Sequence, residues 1–446
     1  MRIFIYIRKK IFVIRAVIFA YYTRYKLLHT RYYKQKHIQT QKSIVYINTS
    51  NTQGGAARIA HDLHVHQNLL KQQSQMLVSN KQGTEAAIYE LKQDASKKQQ
   101  LLFEAQKWLQ WQDFFHLASI ELHKHPLIQK SSIVHLHNLH SWNGYFSPFA
   151  LPKLSSCKQI IWTLHDMHAV TGHCAYSFKC EKWKIGCGNC PQLETYPKLT
   201  KDTTAFIWKT KKNIYKKCDM HIVVPSKWLQ DIVSKSILKH LPCTLIYNGI
   251  DTTIFKQSTK QEIRKKYLIP DHTFVVLFSA DNGFKNPYKG GEYVKKIIKL
   301  YTNANNLLFI NIGGGQELIK NKNSWTLPHK NNKYELAEWY SCSDMYLYPS
   351  LADNCPLGVL EAMSCGLPIV TFNTGGIPEL VLHKETGYIA KHKDFNDLCA
   401  GFEYIYRNPN IRESMSQLSI ARVHEHFTQE IMIKKYVDLY NTFEQK

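Results

Sequence analysis

Acid is scarce in this chain. Its 446 residues carry 34 Asp and Glu against 58 Lys and Arg, a formal net charge of +24, and the first 42 residues contain no acidic side chain at all. Such an imbalance implies an anionic partner, whether nucleic acid, anionic lipid or a phosphate-rich substrate. Long apolar runs are also missing. The longest near the start, Ile11 to Tyr22, is broken by Arg15, and a spanning helix needs about 20 apolar residues, so this segment is not expected to cross a membrane. No small-residue cleavage site follows it, which argues against a secretory signal. The eleven cysteines are an odd number, and without a secretory signal they point to a reducing compartment rather than to a disulfide framework. No repeat and no D-x-D pair of the kind that holds a nucleotide-bound cation is present.

What remains is a globular composition. Hydrophobic residues make up 44% of the chain, and 446 residues are too many for one core, so two domains of roughly 200 residues each are expected. The acid-free start holds Arg2, Arg8, Lys9, Lys10, Arg15, Arg24, Lys26, Arg31, Lys34, Lys36 and Lys42 among Phe, Ile, Val and Tyr. That mixture suits a membrane surface, with aromatics in the headgroup layer and cations on anionic lipid. A helix packed on the protein's own surface, a nucleic-acid arm and a disordered extension are the alternatives.

One stretch organises the chain: MYLYPSLADNCPLGVLEAMSCGLPIVTFNTGGIPELV, residues 345–381. It reads as a strand from Met345 to Tyr348, a turn, a short helix opened by Pro356 and stopped by Gly366 and Pro368, a strand from Ile369 to Phe372, and a Gly-Gly turn into another helix. In a parallel sheet, ligands bind beyond the carboxyl ends of the strands. Asp353 in the turn and Glu361 on the helix offer two acids to sugar or ribose hydroxyls there. The amides near Leu357 and Gly358 offer N–H groups to phosphate. A lone D-x7-E is more often an ordinary pair of solvated carboxylates; the residues around this one say otherwise.

The stretch resembles the signature of retaining glycosyltransferases of the GT-B fold, family four, in which E-x7-E precedes AMACGxPVV and GGxPE. Glu361, Cys365, Gly366, Gly375, Gly376 and Glu379 match, whereas Asp353 stands where Glu is usual. The resemblance implies an α/β chain of two Rossmann-like, doubly wound domains facing a central cleft. In that scheme Glu361 holds the donor's ribose, Asp353 contacts the transferred sugar, and Asn354 lies beside them.

Other segments fall in the family's order. SIVYI (43–47) is a strand leading to Gly54-Gly55-Ala56-Ala57-Arg58, a loop that on its own residues reads first as a bare turn. The resemblance makes Gly54, Gly55 and Arg58 a phosphate and acceptor loop. A strand at 133–137 ends in His137, with Asn138, His140, Trp142 and Asn143 beyond it, and a strand at 160–164 runs into His165-Asp166. The T-x-H-D and TGHC segments resemble a polysaccharide-synthesis subgroup, which puts His165 beside the transferred sugar and Asp166 and His137 on the acceptor side. HIVVP (221–225) with SKWL, and NGID (248–251), match the end of the first domain and the hinge. In the second domain Lys289 matches the Lys that neutralises the donor diphosphate. The accompanying Arg is absent, and Asn282 or Lys285 stands in its neighbourhood.

Cys174, Cys180, Cys187 and Cys190 have the spacing C-x5-C-x6-C-x2-C. Four thiolates satisfy a tetrahedral zinc site at about 2.3 Å per sulfur; unliganded thiols and a disulfide or redox pair are the other readings. A closed site of four sulfurs would be structural, and no catalytic metal is expected.

The expected organisation is therefore a basic segment 1–42, an acceptor-side domain 43–245 with the cysteine-rich insertion 173–191, a nucleotide-sugar domain 246–427, and a final segment 428–446 that crosses back to the first domain. The expected reaction is hexose transfer from a nucleotide sugar to a saccharide, lipid-linked in this reading, with retention of configuration. Its setting would be cell-surface polysaccharide synthesis in the cytoplasm, at the inner face of the membrane, with no nucleic-acid partner. A zinc-stapled nucleic-acid binder and an epimerase or phosphorylase on the same fold are the competing classes.

Overall fold

The computed structural model describes residues 2–32, 43–70, 73–140 and 144–443, with side chains in the first helix from Phe12 onward. It divides into two compact units. Unit 1 comprises residues up to Pro225, Leu229–Leu245 and the chain from Leu439; unit 2 comprises Ser226–Trp228 and Ile246–Asp438. The chain thus leaves unit 1 at Leu245 and returns to it at Leu439.

Unit 1 is a seven-stranded sheet of β1 (Ser43–Ser50), β2 (Gln73–Asn80), β3 (Ile88–Glu90), β4 (Ile133–Leu136), β5 (Gln159–Thr163), β6 (Met220–Val224) and β7 (Cys243–Leu245), in the order β3-β2-β1-β4-β5-β6-β7. Every neighbouring pair is parallel. The strands read as nearly continuous apolar runs because helices cover both faces of such a sheet; in β1, Ile44 to Ile47 are all buried. The strand order reverses direction between β1 and β4. At such a point neighbouring loops diverge and leave room for a ligand.

Unit 2 has a second sheet of β8 (Phe274–Ser279), β9 (Leu307–Gly315), β10 (Ile319–Lys320), β11 (Ser324–Pro328), β12 (Met345–Tyr348), β13 (Ile369–Phe372) and β14 (Gly387–Ala390), in the order β10-β11-β9-β8-β12-β13-β14. Only the short β10–β11 pair is antiparallel. Alternation along β12 assigns its side chains to two cores. Met345 and Leu347 pack with Phe278, Phe309, Val370 and Phe402 on one face. Tyr346 and Tyr348 pack with Leu277, Tyr340, Val359 and Leu360 on the other. The period of two in a strand therefore aims both tyrosines toward the helix that follows.

That helix runs Leu357–Ser364, one residue later than its proline suggests. Pro356 is the capping residue outside it, with φ −69° and ψ 121°. The ring fixes only φ, and here ψ is extended rather than helical. Gly366, with φ +78°, ends the helix as expected. The final helix spans Gln429–Asn441.

Candidate active site

In unit 2 the strand order reverses between β8 and β12, and the residues singled out in the sequence gather at the carboxyl ends of those strands. Two turns are locked together there. Leu351 donates its N–H to the Tyr288 carbonyl at 2.7 Å, and the Ser350 hydroxyl donates to the same oxygen at 3.0 Å. This docking carries Lys289 onto Asp353. The Lys289 ammonium donates to Asp353 Oδ2, and the Tyr348 hydroxyl donates to that oxygen at 2.6 Å. Asp353 Oδ1 accepts from the Asn354 N–H at 3.0 Å. The residue expected to meet the sugar and the residue expected to meet the diphosphate are thus an ion pair.

Glu361 is 3% exposed and accepts a hydrogen bond from the Tyr340 hydroxyl at 3.0 Å. Tyr340 lies 3.3 Å from Ser279 Oγ, which in turn lies 2.8 Å from the Tyr346 hydroxyl. Burial, followed by the neighbouring Tyr346 and Glu361, pushes the Tyr340 phenol well above its ordinary range. Burial does the same to Tyr346, with the charges of Glu361 and Asp353 adding to it. Both phenols therefore stay protonated as donors between the two carboxylates. Gly358 permits the arrangement, because a Cβ there would stand 2.9 Å from the Tyr346 oxygen and 3.3 Å from that of Tyr340.

The Gly375-Gly376 turn after β13 supports Asp353 from behind. Gly375 has φ +54°, and a Cβ on it would sit 1.6 Å from the Asp353 carbonyl oxygen. Asn354, buried, accepts from the Ser226 hydroxyl. Glu379 accepts from the backbone N–H groups of Lys227 and Trp228 at 2.7 and 2.8 Å and from the Tyr247 hydroxyl at 2.9 Å. Its oxygens are committed to holding backbone. Asn282 and Lys285 are exposed on the turn after β8.

Unit 1 brings a second group of the expected residues together at the ends of β4 and β5. His137 Nδ1 and His165 Nε2 are 3.0 Å apart, with rings nearly parallel at 20°. One proton must lie between them. Asp166 accepts from His140 Nε2 at 2.8 Å and from the His168 backbone N–H at 2.8 Å. Burial alone would raise the Asp166 carboxyl, but His140 and the two hydrogen bonds hold it below its ordinary range. Burial lowers His165 to about 4, with Asp166 opposing and His140 assisting, so its ring is neutral near pH 7. Close by, burial raises the Asp113 carboxyl and lowers the Lys211 ammonium, each charge opposing the shift of the other. Gly54, at φ +85°, opens the helix Gly55–Leu69 and has nothing within 4 Å of its would-be Cβ. Its backbone is approachable, and Arg58 follows on the first turn of that helix. Trp142 and Asn143 lie outside the described residues.

The four cysteines of the insertion line one small cavity together with His173, and His173 Nε2 lies 3.4 Å from Cys190 Sγ. Burial raises Cys174 to about 12 and Cys187 to about 11. Among the described residues no set of three or more His, Cys, Asp or Glu side chains is grouped to hold a metal ion. The donor types, four thiols and an imidazole around one cavity, suit zinc.

Several participants were not singled out in the sequence: Tyr340, Tyr346, Tyr348 and Ser279 around the carboxylates; His140, named there only as lying beyond the strand 133–137, is the partner of Asp166. The pair Tyr346 and Tyr348, two apart on a strand ending at the acidic turn, is the signal that could have found two of them.

Known proteins agree with this layout. Residues 53–254 match the model of Glycosyltransferase Family 4, and residues 259–422 match that of Glycosyl transferases group 1. A glycosyl transferase named for colanic acid biosynthesis in Escherichia coli (strain K12) is 24% identical over 321 residues, covering 69% of this chain and 76% of that one. The N,N'-diacetylbacillosaminyl-diphospho-undecaprenol alpha-1,3-N-acetylgalactosaminyltransferase of Campylobacter jejuni is 25% identical over 193 residues, covering 42% of this chain and half of its own length. Among solved structures, Anabaena HepE in complex with UDP-glucose superposes with a TM-score of 0.61 at 14% identity, over 91% of this chain and all of that one. With one family model on each half and the fold in common with GT-B enzymes, this chain belongs to the GT-B glycosyltransferases of group 1 and family 4.

Proposed function

We propose that this glycosyltransferase moves a hexose from a nucleoside-diphosphate sugar to a hydroxyl of a lipid-linked saccharide, with retention of configuration, in the synthesis of a cell-surface polysaccharide. The observation that carries the donor half is the pairing of Lys289 with Asp353 at the carboxyl end of β12, beside the buried Glu361. A cation and two oriented carboxylates at a topological switch point suit a ligand that carries both phosphate and hydroxyls. HepE, similar in fold, is a structure with UDP-glucose bound. The names of the Escherichia coli and Campylobacter jejuni relatives support the acceptor half.

In this reading Glu361, its carboxylate fixed by Tyr340, accepts hydrogen bonds from the donor's ribose. Lys289 turns from Asp353 to the diphosphate, which the amides of Leu357 and Gly358 also meet at the helix start. Asp353, released, takes a hydroxyl of the transferred sugar. The bond from the anomeric carbon to the diphosphate oxygen breaks. That oxygen takes the proton of the acceptor hydroxyl, and the acceptor oxygen bonds to the anomeric carbon on the face just vacated. Charge leaves with the diphosphate, so positioning and electrostatics do most of the work, with no catalytic metal. In unit 1, His165 is proposed to hydrogen-bond a sugar hydroxyl as a neutral ring whose tautomer His137 sets. Gly54, Gly55 and Arg58 are proposed to meet phosphate or acceptor.

A thermal-shift screen of UDP-, GDP-, ADP- and CMP-linked sugars tests the donor half. A ligand at one hundred times its Kd adds about 2.7 kcal/mol, enough for a shift of a few degrees. The shift is expected with one base and absent in Glu361→Ala. No shift with any of them defeats the reading. For the transfer itself, the product's anomeric configuration by NMR decides retention, and turnover unchanged in EDTA is expected. Structural zinc in the cysteine loop is a separate proposal, supported by the cavity the four thiols share; one equivalent of zinc in the purified protein, lost on Cys187→Ser, would bear it out.

A further inference from the structure

The helix Arg2–His29 carries a face that the described residues leave uncovered. Its packed side is fixed by contacts within unit 1. Ala16 and Ala20 have no exposed surface. Tyr21 meets Trp111 edge-on at 4.8 Å between ring centres, and Arg24 lies 4.5 Å over the Phe206 ring while donating to Thr210 Oγ1 at 3.2 Å. Lys217 donates to the Leu28 carbonyl near the helix end. With the orientation held in this way, the residues half a turn from Ala16 and Ala20 point outward.

Those residues are apolar. Ile14, Ile18, Tyr22 and Tyr25 are 57%, 64%, 61% and 61% exposed, and steps of four, four and three place them in one stripe along the helix. Tyr21 widens it, nearly half exposed. Arg15 and Lys26 are exposed along one edge. A contiguous patch of this kind on a water-facing surface marks an interaction site. No helix among the described residues is long and apolar enough to cross a membrane, so the geometry is that of a helix lying on a surface.

We propose that this face seats the protein on an anionic lipid bilayer, with Ile14 and Ile18 entering the headgroup layer, the tyrosines at its boundary, and Arg15 and Lys26 on lipid phosphates. Charge selects the partner. The chain carries +24 overall and the first 42 residues are free of acid, so a bilayer of negative headgroups attracts the face, whereas a second copy of the chain would bring the same charge to it. Tyrosine, apolar in body and polar at its tip, suits a boundary between oil and water. The inference rests on the transferase reading only for its purpose, which is to meet an acceptor with a lipid anchor.

The test is vesicle flotation of the full chain with phosphatidylcholine alone and with phosphatidylcholine containing one third phosphatidylglycerol. Binding is expected to the anionic vesicles and not to the neutral ones. A triple variant, Ile14→Ser, Ile18→Ser and Tyr22→Ser, is expected to lose at least about tenfold in partitioning. Arg15→Gln with Lys26→Gln is expected to lose roughly fivefold per charge. All five side chains are exposed or at the rim, so melting temperatures stay within a degree or two of the parent. Wild-type protein that fails to float with anionic vesicles, or a triple variant that floats as well, overturns the proposal. So does a concentration-dependent dimer that the triple variant abolishes without any vesicle binding, which would give the face to a second copy. Donor thermal shifts on the same preparations separate the two readings: lipid binding without a donor shift sinks the transferase reading alone, and the converse sinks this one alone.

Discussion

Asp353 and Lys289 stand 64 positions apart in the chain and share one hydrogen bond; their pairing shapes what substitutions there should do. In Asp353→Asn the lysine is relieved of its partner while Tyr348 keeps one to bond. UDP affinity should hold or tighten, and turnover should drop by about a hundredfold or more through loss of the group that orients the sugar. A tenfold loss of UDP binding, read by calorimetry, would mean that Asp353 serves the nucleotide instead. His165 makes a separate prediction in pH. Its ordinary value is 6.5, and burial lowers it to about 4. Between those values the unfolded chain holds a proton that the folded chain does not. Stability is therefore full above the ordinary value, falls as pH drops toward 4, and is flat below. A single such group contributes a slope of about 1.4 kcal/mol per pH unit. Urea unfolding from pH 6.5 to 4.5 should show the wild type losing stability more steeply than His165→Gln; parallel curves would count against a neutral, half-buried ring. At this scale the acids were legible because they lie in a motif. The tyrosines that orient them were not, because a tyrosine in a buried strand reads the same whether its hydroxyl meets a carboxylate or a backbone oxygen.

Elements were legible to within a residue or two wherever an apolar run had sharp borders, as in β8, β12 and β13. The turns were harder to read. Gly54 and Gly375 look alike on paper, and both have positive φ, yet one faces open space and the other faces the Asp353 carbonyl at a distance no Cβ tolerates. Their alanine variants should therefore diverge. Gly54→Ala should cost about 2 kcal/mol, the strain of a side chain held at φ 85° and ψ 166°, a region almost confined to glycine, with the fold intact. Gly375→Ala must also push apart the two loops of the acidic turn, and a loss of about 3 kcal/mol or more in urea unfolding is expected. Equal losses would show that the turn relaxes cheaply. The helix Arg2–His29 belongs to the same lesson. Its composition suggested a surface segment; the burial of Ala16 and Ala20 decided which side of it faces out.

For the whole molecule, two sheets with separate cores imply two cooperative units. Heating should resolve, or broaden into, two transitions, and a nucleotide that binds in unit 2 should raise only one of them. Near saturation at one hundred times Kd the increment is about 2.7 kcal/mol. Calorimetry of Glu361→Ala should show neither transition moved by the nucleotide, and a nucleotide shift confined to the other transition would relocate the donor site.

The sequence by itself determined the periodicities, and with them the two α/β sheets, the acidic turn after β12, the histidine and aspartate after β5, and the excess of positive charge. These are local properties, set by the alternation of apolar side chains and by the few residues able to start, stop or turn the chain. Only the tertiary structure decided the partners: that Lys289 meets Asp353, that Glu379 holds backbone, that His137 leans on His165, and that the four thiols share a cavity. A hydrogen bond or an ion pair depends on distances of about 3 Å between segments tens of residues apart, and spacing along the chain carries no record of that distance until packing sets it.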